Sequence, residues 1–349
     1  MATIRDVARA AGVSVATVSR VLNNHARVRT ETRSRVNQAA QTLDYTPNEV
    51  ARSLITSRTH AFGVLLPDLY GEFFSEVLRG VDLRARRDGF HLLVSSSHAD
   101  GDDLVEALRS MRGRIEGLIV MAPDIDTGAL VKAAGNDLPL VLLDPGMHVV
   151  GCDSISIDKA AGAAAAVRHL LDLGHRRIAT ITGPTWNADA RHRLEGYRRA
   201  LGEGGVGADP ALEVAGDFTE PSGYAAVGFL RGLVAPPTAI FAANDYMAIG
   251  AMSALTQAGL RVPEDVAVVG FDDIAMARYL NPPLTTVNVD PLDLGSRAVQ
   301  RLIDGKSGAS TRRRHEVTPA TLVVRRSCGS SSLGPESRSL TPRARRSSP

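Results

Sequence analysis

Several polar residues of this chain stand where they could hold a small hydroxylated molecule. Asp68, Asp144, Asn244 and Asp272 each come just after an apolar run that reads as a strand: Phe62–Leu66, Leu138–Leu143, Ala239–Ala242 and Val266–Phe271. Carboxylates and amides on loops at strand ends bond vicinal hydroxyls, and a parallel sheet gathers such loops along one edge. Asp245 and Asp273 follow two of these positions and read as helix-start or loop carboxylates, since an N-terminal Asp is favourable there whatever the function. A different chemistry lies near the N-terminus, in the residues around Val15–Leu22. Val15 and Ala16 are short and apolar, suited to a thymine methyl. Arg20 can bond guanine O6 and N7 in bidentate fashion, a contact that discriminates by ~1–3 kcal/mol. Ser14, Thr17 and Ser19 carry hydroxyls placed to hold phosphates, which fixes register without reading sequence; Ser14 serves equally as a helix N-cap.

Other chemistries find no support. Cys152 and Cys328 lie far apart and read as reduced structural thiols, without the spacing of a metal site. Gly202, Gly204 and Gly207 spell a dinucleotide-like pattern, yet they follow a helix instead of a strand, and they read as a flexible loop. Gly305-Lys306-Ser307 lacks the upstream glycine of a phosphate-binding loop. Gly174-His175-Arg176-Arg177 is a helix stop leading into a strand, and His175 has no nucleophile or carboxylate partner in view. An enzyme is therefore the weakest class, with no cofactor or metal expected.

The elements that must position these residues fall into two patterns. Thr3 can cap a helix over 4–11, Gly12-Val13 makes a tight turn, Ser14 caps a second helix to Leu22, and a third amphipathic helix follows Thr30. Three short helices with a glycine turn form a helix-turn-helix unit, whose second helix enters the major groove. Pro47 stops the third helix, a short helical segment follows from Asn48, and Ser57-Arg58-Thr59 is a linker. From Ala61 onward, apolar runs alternate with amphipathic helices, which implies parallel sheets covered on both faces. Besides the four runs above, Phe90–Ser95, Gly117–Met121 and Arg177–Thr182 read as strands. Helices are expected at 74–88, 102–112, 159–173, 188–201, 222–233, 245–258 and 293–302. So long an alternation exceeds one sheet and points to two subdomains.

Charge is distributed to match. The net charge of +2 conceals a head, residues 1–60, with nine arginines against four carboxylates, and a tail from Cys328 with four arginines against one, so the body between is acidic. A basic head on an acidic body suggests that only the head meets a polyanion. Apolar content of 44% with 22% charged residues is that of a soluble globular protein, and aromatics amount to only 4%. No run is long enough for a membrane helix and the start lacks a signal-peptide pattern, which places the protein in the cytoplasm as an expectation.

The run Thr3-Ile4-Arg5-Asp6-Val7-Ala8-Arg9-Ala10-Ala11-Gly12-Val13-Ser14-Val15-Ala16-Thr17-Val18-Ser19-Arg20-Val21-Leu22-Asn23 resembles the signature of the lactose-repressor (LacI) family, and Tyr45, Pro47, Asn48 and Val50-Ala51-Arg52-Ser53-Leu54 resemble its hinge helix. The resemblance covers nearly all of the chain except the tail. It implies an all-α helix-turn-helix DNA-binding head plus an α/β core of two parallel-sheet subdomains like those of periplasmic sugar-binding proteins. The corresponding boundaries are 1–57 for the head with a hinge helix at 48–55, and 61–327 for the core. Within the core, an N-subdomain takes about 61–158 and 290–317 and a C-subdomain about 159–288 and 318–327, followed by a disordered basic tail at 328–349.

By the same resemblance Ser14, Val15, Ala16, Thr17, Ser19, Arg20, Asn23, Val50, Ala51 and Leu54 meet DNA, with Leu54 a wedge inserted at a central C-G step. Ile55 departs from purine-type members, which tend to carry a basic residue after the wedge. Asp144, Arg193, Asn244 and Asp272 match family positions that contact an effector. Arg193 lies in Arg191-His192-Arg193-Leu194-Glu195-Gly196-Tyr197, and Phe73 and Phe218 match positions that place a ring against the ligand. Phe74 reads equally as core packing, and Trp186 as lying near the cleft. The expectation is a homodimeric regulator, a repressor by preference, that binds a near-palindromic operator in double-stranded DNA under the control of a sugar-like effector. The alternatives are a nucleoside or purine corepressor, a signalling protein docked on the core, and, weakest, a sugar-binding transport protein.

Overall fold

The computed structural model describes residues 2–22, 28–45, 59–97, 101–121, 127–135, 138–145, 151–306 and 314–329. The chain forms two compact units, the first ending at His60 and the second beginning at Ala61.

The first unit holds α1 (Ile4–Ala11), α2 (Val15–Leu22) and α3 (Thr30–Thr42). Its start is a reciprocal cap: Thr3 Oγ1 accepts from the Asp6 N–H while Asp6 Oδ2 accepts from the Thr3 N–H. Gly12 ends α1 at φ +62, a conformation that suits glycine. Ser14 Oγ then accepts from the Thr17 N–H at 3.2 Å and starts α2. Val7, Ala8 and Ala11 of α1, Val18 and Val21 of α2, and Val36 and Ala40 of α3 close a small apolar core. The helical spacing of these residues leaves the opposite face of α2 to solvent.

The second unit contains two parallel sheets. The first has the order β11-β5-β4-β3-β1-β2, formed by β1 (Ala61–Leu66), β2 (His91–Ser96), β3 (Leu118–Met121), β4 (Leu140–Leu143), β5 (Asp153–Ile157) and β11 (His315–Thr318). The second, β7-β6-β8-β9, is formed by β6 (Ile178–Thr182), β7 (Glu213–Ala215), β8 (Ala239–Ala242) and β9 (Ala267–Val269). Every neighbouring pair in both sheets is parallel. The exception to the expected all-parallel pattern is a separate antiparallel pair, β10 (Thr286–Asn288) with β12 (Thr321–Val323).

Strands buried on both faces divide their side chains between two cores. Phe62, Val64 and Leu66 enter one apolar cluster, which continues into the second sheet through Ile178, Phe241 and Val269. Ala61 and Leu65 enter a second cluster behind the first sheet, and Ile181, Ile240 and Val268 a third behind the second sheet. Helices cover these faces: α4 (Glu72–Arg87), α5 (Gly101–Met111), α6 (Thr127–Ala134), α7 (Lys159–Asp172), α8 (Ala188–Glu203), α9 (Glu220–Arg231), α10 (Asp245–Gln257) and α11 (Pro291–Lys306). The chain passes from the first sheet to the second at β5–α7 and returns at β10–α11, which puts the start of α7 beside both.

Candidate functional site

In the first unit, the capped α2 presents Val15, Ala16 and Arg20 to solvent while Val18 and Val21 stay inside. Val15 is 40% exposed, an apolar side chain left outside a core that it could have joined. Thr17 and Ser19 are half-buried, and the Thr17 hydroxyl lies 2.9 Å from that of Ser14. Both readings of Ser14 are compatible with this geometry, since its cap bond leaves the hydroxyl at the surface. Asn23, Val50, Ala51 and Leu54, with the whole expected hinge helix, lie outside the described residues.

In the second unit, the residues that follow β4, β8 and β9 gather with α7 and α8 into one buried polar chain. Lys159, the first residue of α7, is its centre: Nζ lies 2.8 Å from Asp144 Oδ1 and 2.8 Å from Asp189 Oδ1. Asp144 Oδ1 also accepts from the Ile157 N–H at 2.8 Å. One turn along α8 from Asp189, Arg193 donates through Nη2 to Asp272 Oδ1 at 3.0 Å and through Nη1 to the Ala243 carbonyl. Its guanidinium lies 4.1 Å from the centre of the Phe271 ring and 5.8 Å from that of Phe218. Asn244 Oδ1 accepts from the Met247 N–H and caps α10, while its Nδ2 donates to the Phe218 carbonyl at 2.9 Å.

At this site two buried atoms have no hydrogen-bond partner: Asp144 Oδ2, an acceptor, and Arg193 Nε, a donor. The backbone is also held in an uncommon region at this site, with φ of +46 at Asp144, +70 at Phe218 and +105 at Asp272. Such conformations cost about 1–3 kcal/mol each and collect at ligand clamps. Gly183 lets the Phe218 ring sit close, because a β-carbon there would lie 2.2 Å from a ring atom.

The electrostatics follow from burial. Burial pushes the Asp144 carboxyl up from its ordinary value against the pull of Lys159. Burial works against the Lys159 charge too, but Asp144 and Asp189 outweigh it and hold the ammonium above its usual range. At Asp189 burial is likewise outweighed, by Lys159 and then Arg193, and its carboxyl is lowered. Asp272 is pushed up to about 6 by burial, with Arg193 opposing. Asp245, fully buried, stands well above the usual carboxylate range for the same reason. It accepts from Thr286 Oγ1 at 2.5 Å and from the Ile274 N–H at 2.9 Å, tying α10 to β10 and to the segment after β9.

The expected residues do not all meet. Arg193, Phe218, Asn244 and Asp272 are linked by the contacts just described, and Asp144 is tied through Lys159 to Asp189, one turn before Arg193 on α8. Asp68 is exposed after β1, where its Oδ1 accepts from the N–H groups of Leu69 and Tyr70 in a local turn. Phe73 packs edge-on to Phe74, ring centres 5.4 Å apart, against the main apolar cluster. Trp186 is 60% exposed. Asp273 pairs with Arg325 at 2.6 Å. Sequence reasoning misses Lys159 and Asp189. The available signals were a lysine in the first turn of a helix, where the dipole disfavours it, and an acid one turn before Arg193.

Comparison with known proteins now bears on both units. A model described as "Bacterial regulatory proteins, lacI family" matches residues 3–48, and one described as "Periplasmic binding protein-like domain" matches 167–328. The ribose operon repressor of Haemophilus influenzae is 36% identical over 328 residues, 94% of this chain and 98% of that repressor. This chain belongs to the lacI family of bacterial regulatory proteins. As a lacI-family member it is a sequence-specific DNA-binding transcriptional regulator with an effector-binding core. The HTH-type transcriptional repressor PurR of Aliivibrio salmonicida is also 36% identical, over 94% of this chain and 99% of its own. Among solved structures, the Lac repressor dimer bound to operator and the anti-inducer ONPF superposes with a TM-score of 0.85 at 34% identity, covering 94% of this chain and 99% of that one. Among the described residues, no helix is long and apolar enough to cross a membrane.

Proposed function

We propose that this protein is a repressor that binds a near-palindromic operator as a homodimer and is released from it by a sugar-like effector. Operator contacts come from Val15, Ala16 and Arg20 on the exposed face of α2, with Ser14, Thr17 and Ser19 toward the phosphates. The effector is held by Asp144, Arg193, Asn244 and Asp272 with the Phe218 ring against its apolar face.

The observation that carries this reading is the pair of unpartnered buried atoms, Asp144 Oδ2 and Arg193 Nε. One accepts and one donates, and a hydroxyl group can satisfy either. The two-fold symmetry of a dimer requires a palindrome, and the effector acts by favouring one arrangement of the two sheets over another. The head boundary near residue 57 and the division of the core follow the same reading.

The test is to incubate the purified full chain with fragmented genomic DNA and sequence what it retains, with and without candidate sugars, nucleosides and purines. Enrichment of a palindrome centred on C-G, lost on adding a sugar, is the expected result. Enrichment that appears only with a purine would replace the inducer by a corepressor. No enrichment under any condition would remove the repressor reading.

A further inference from the structure

The charges around Arg193 are already committed to one another, which limits what can join them. Lys159, its side chain 2% exposed, holds Asp144 and Asp189, and Arg193, 7% exposed, holds Asp272. Among the described residues three carboxylates therefore share two cations, with Asp245 engaged separately by Thr286 and Ile274. The two unpartnered atoms, Asp144 Oδ2 and Arg193 Nε, belong to side chains more than nine-tenths buried. A phosphate or carboxylate offers ionised acceptors only. It would bring a further negative charge into a buried site whose cations are already matched, and it would leave Asp144 Oδ2 facing another acceptor. Uncharged hydroxyls can donate to Asp144 and accept from Arg193 without disturbing either ion pair.

Resting on the effector reading above, we infer that the effector is an uncharged polyhydroxyl molecule, a free sugar instead of a sugar phosphate or sugar acid, and that Lys159 sets this preference by neutralising Asp144 and Asp189. Lys159 thereby acts as a specificity-determining residue. Without its ammonium, three carboxylates would face Arg193 alone, and the site would favour a cationic ligand.

The experiment measures melting temperature and then calorimetric affinity of the full chain for ribose, glucose and galactose, their terminal phosphates, and glucosamine and galactosamine. A free sugar is expected to bind, with its phosphate at least about tenfold weaker, because like charge is costly at a desolvated contact. In Lys159→Gln the ratio of amino-sugar to sugar affinity is expected to rise at least about tenfold, and Lys159→Arg to return it toward the original value. The ratio separates a charge effect from a loss of packing, which would weaken both ligands alike. A phosphate that binds as well as its sugar, or better, would overturn the inference and leave the effector reading standing. An unchanged ratio in folded Lys159→Gln would remove Lys159 from it. Should that variant not fold, the sugar and phosphate pairs on the natural chain decide alone. Silence across the whole panel would bring down the inference and the effector reading together.

Discussion

The two units place their polar chemistry in opposite ways. In the head, the side chains able to read DNA are exposed and the core beneath them is wholly apolar: Val15, Ala16 and Arg20 outside, Val18 and Val21 within. In the second unit the chemistry is itself largely buried, and Asp144, Lys159, Asp189, Arg193 and Asp272 form ion pairs before any ligand arrives, with Asp144 Oδ2 and Arg193 Nε left unpartnered. Function and stability are therefore separable in the head. In the core the proposed function couples them, because the residues assigned to the effector also balance their neighbours' charges.

The largest expected effect tests that coupling. Arg193→Ala leaves Asp272 and the Ala243 carbonyl without their donor, and breaking a buried pair in this way costs about 3–5 kcal/mol. Denaturant unfolding should show that loss together with loss of the sugar response, while operator binding survives in the folded fraction. Gly183→Ala comes next. Its added methyl meets the Phe218 ring, and overpacking of this kind costs about 1–3 kcal/mol of stability, read by denaturant unfolding, with weaker sugar binding in a calorimetric titration as the ring is displaced.

Arg20→Ala should be the mirror image. Specific operator binding should weaken by ~1–3 kcal/mol with the melting temperature almost unmoved, since Arg20 is exposed. A clear fall in melting temperature would break the contrast between the units.

The smallest effect concerns pH. Burial raises the Asp272 carboxyl to about 6, so over the range from about 4 to about 6 the folded state holds a proton that the unfolded chain has released. Its contribution to stability therefore falls as pH rises through that window and levels off above it. Stability measured across that range for the natural chain and for Asp272→Asn should differ in slope with this sign. Equal slopes would mean that Arg193 outweighs burial and keeps the Asp272 carboxylate charged throughout the window.

The same contrast explains what could be read from the sequence. The first two helices of the head were legible to the residue: Ile4–Ala11 and Val15–Leu22 begin at Thr3 and Ser14 and turn at Gly12, all local signals. The seven strands expected from apolar runs are all present, with shifts at their ends. Strand β5 escaped because Asp153, Ser154 and Ser156 interrupt its apolar pattern; the first two are held by β11 and the residue before it, through His315 Nδ1 and the Arg314 N–H. The antiparallel pair Thr286–Asn288 with Thr321–Val323 is three residues long on each side, too short for any period. In the buried cluster, Asp144 and Asp272 were legible as acids at strand ends and Arg193 through the family resemblance, whereas Lys159 is recognisable only once the fold brings Asp144 and Asp189 to it. A partnership across sheet and helix leaves no local pattern in the chain.

Whether effector and operator are linked through the buried ion pairs is tested most directly by an equilibrium titration of labelled operator. The operator is taken from the enriched genomic fragments and titrated with and without a sugar that raises the melting temperature. The sugar is expected to weaken operator binding by the natural chain and to leave Arg193→Ala unaffected, because a ligand shifts an equilibrium only by its differential affinity for the two states. Operator affinity that ignores a sugar demonstrably bound to the natural chain would contradict that linkage.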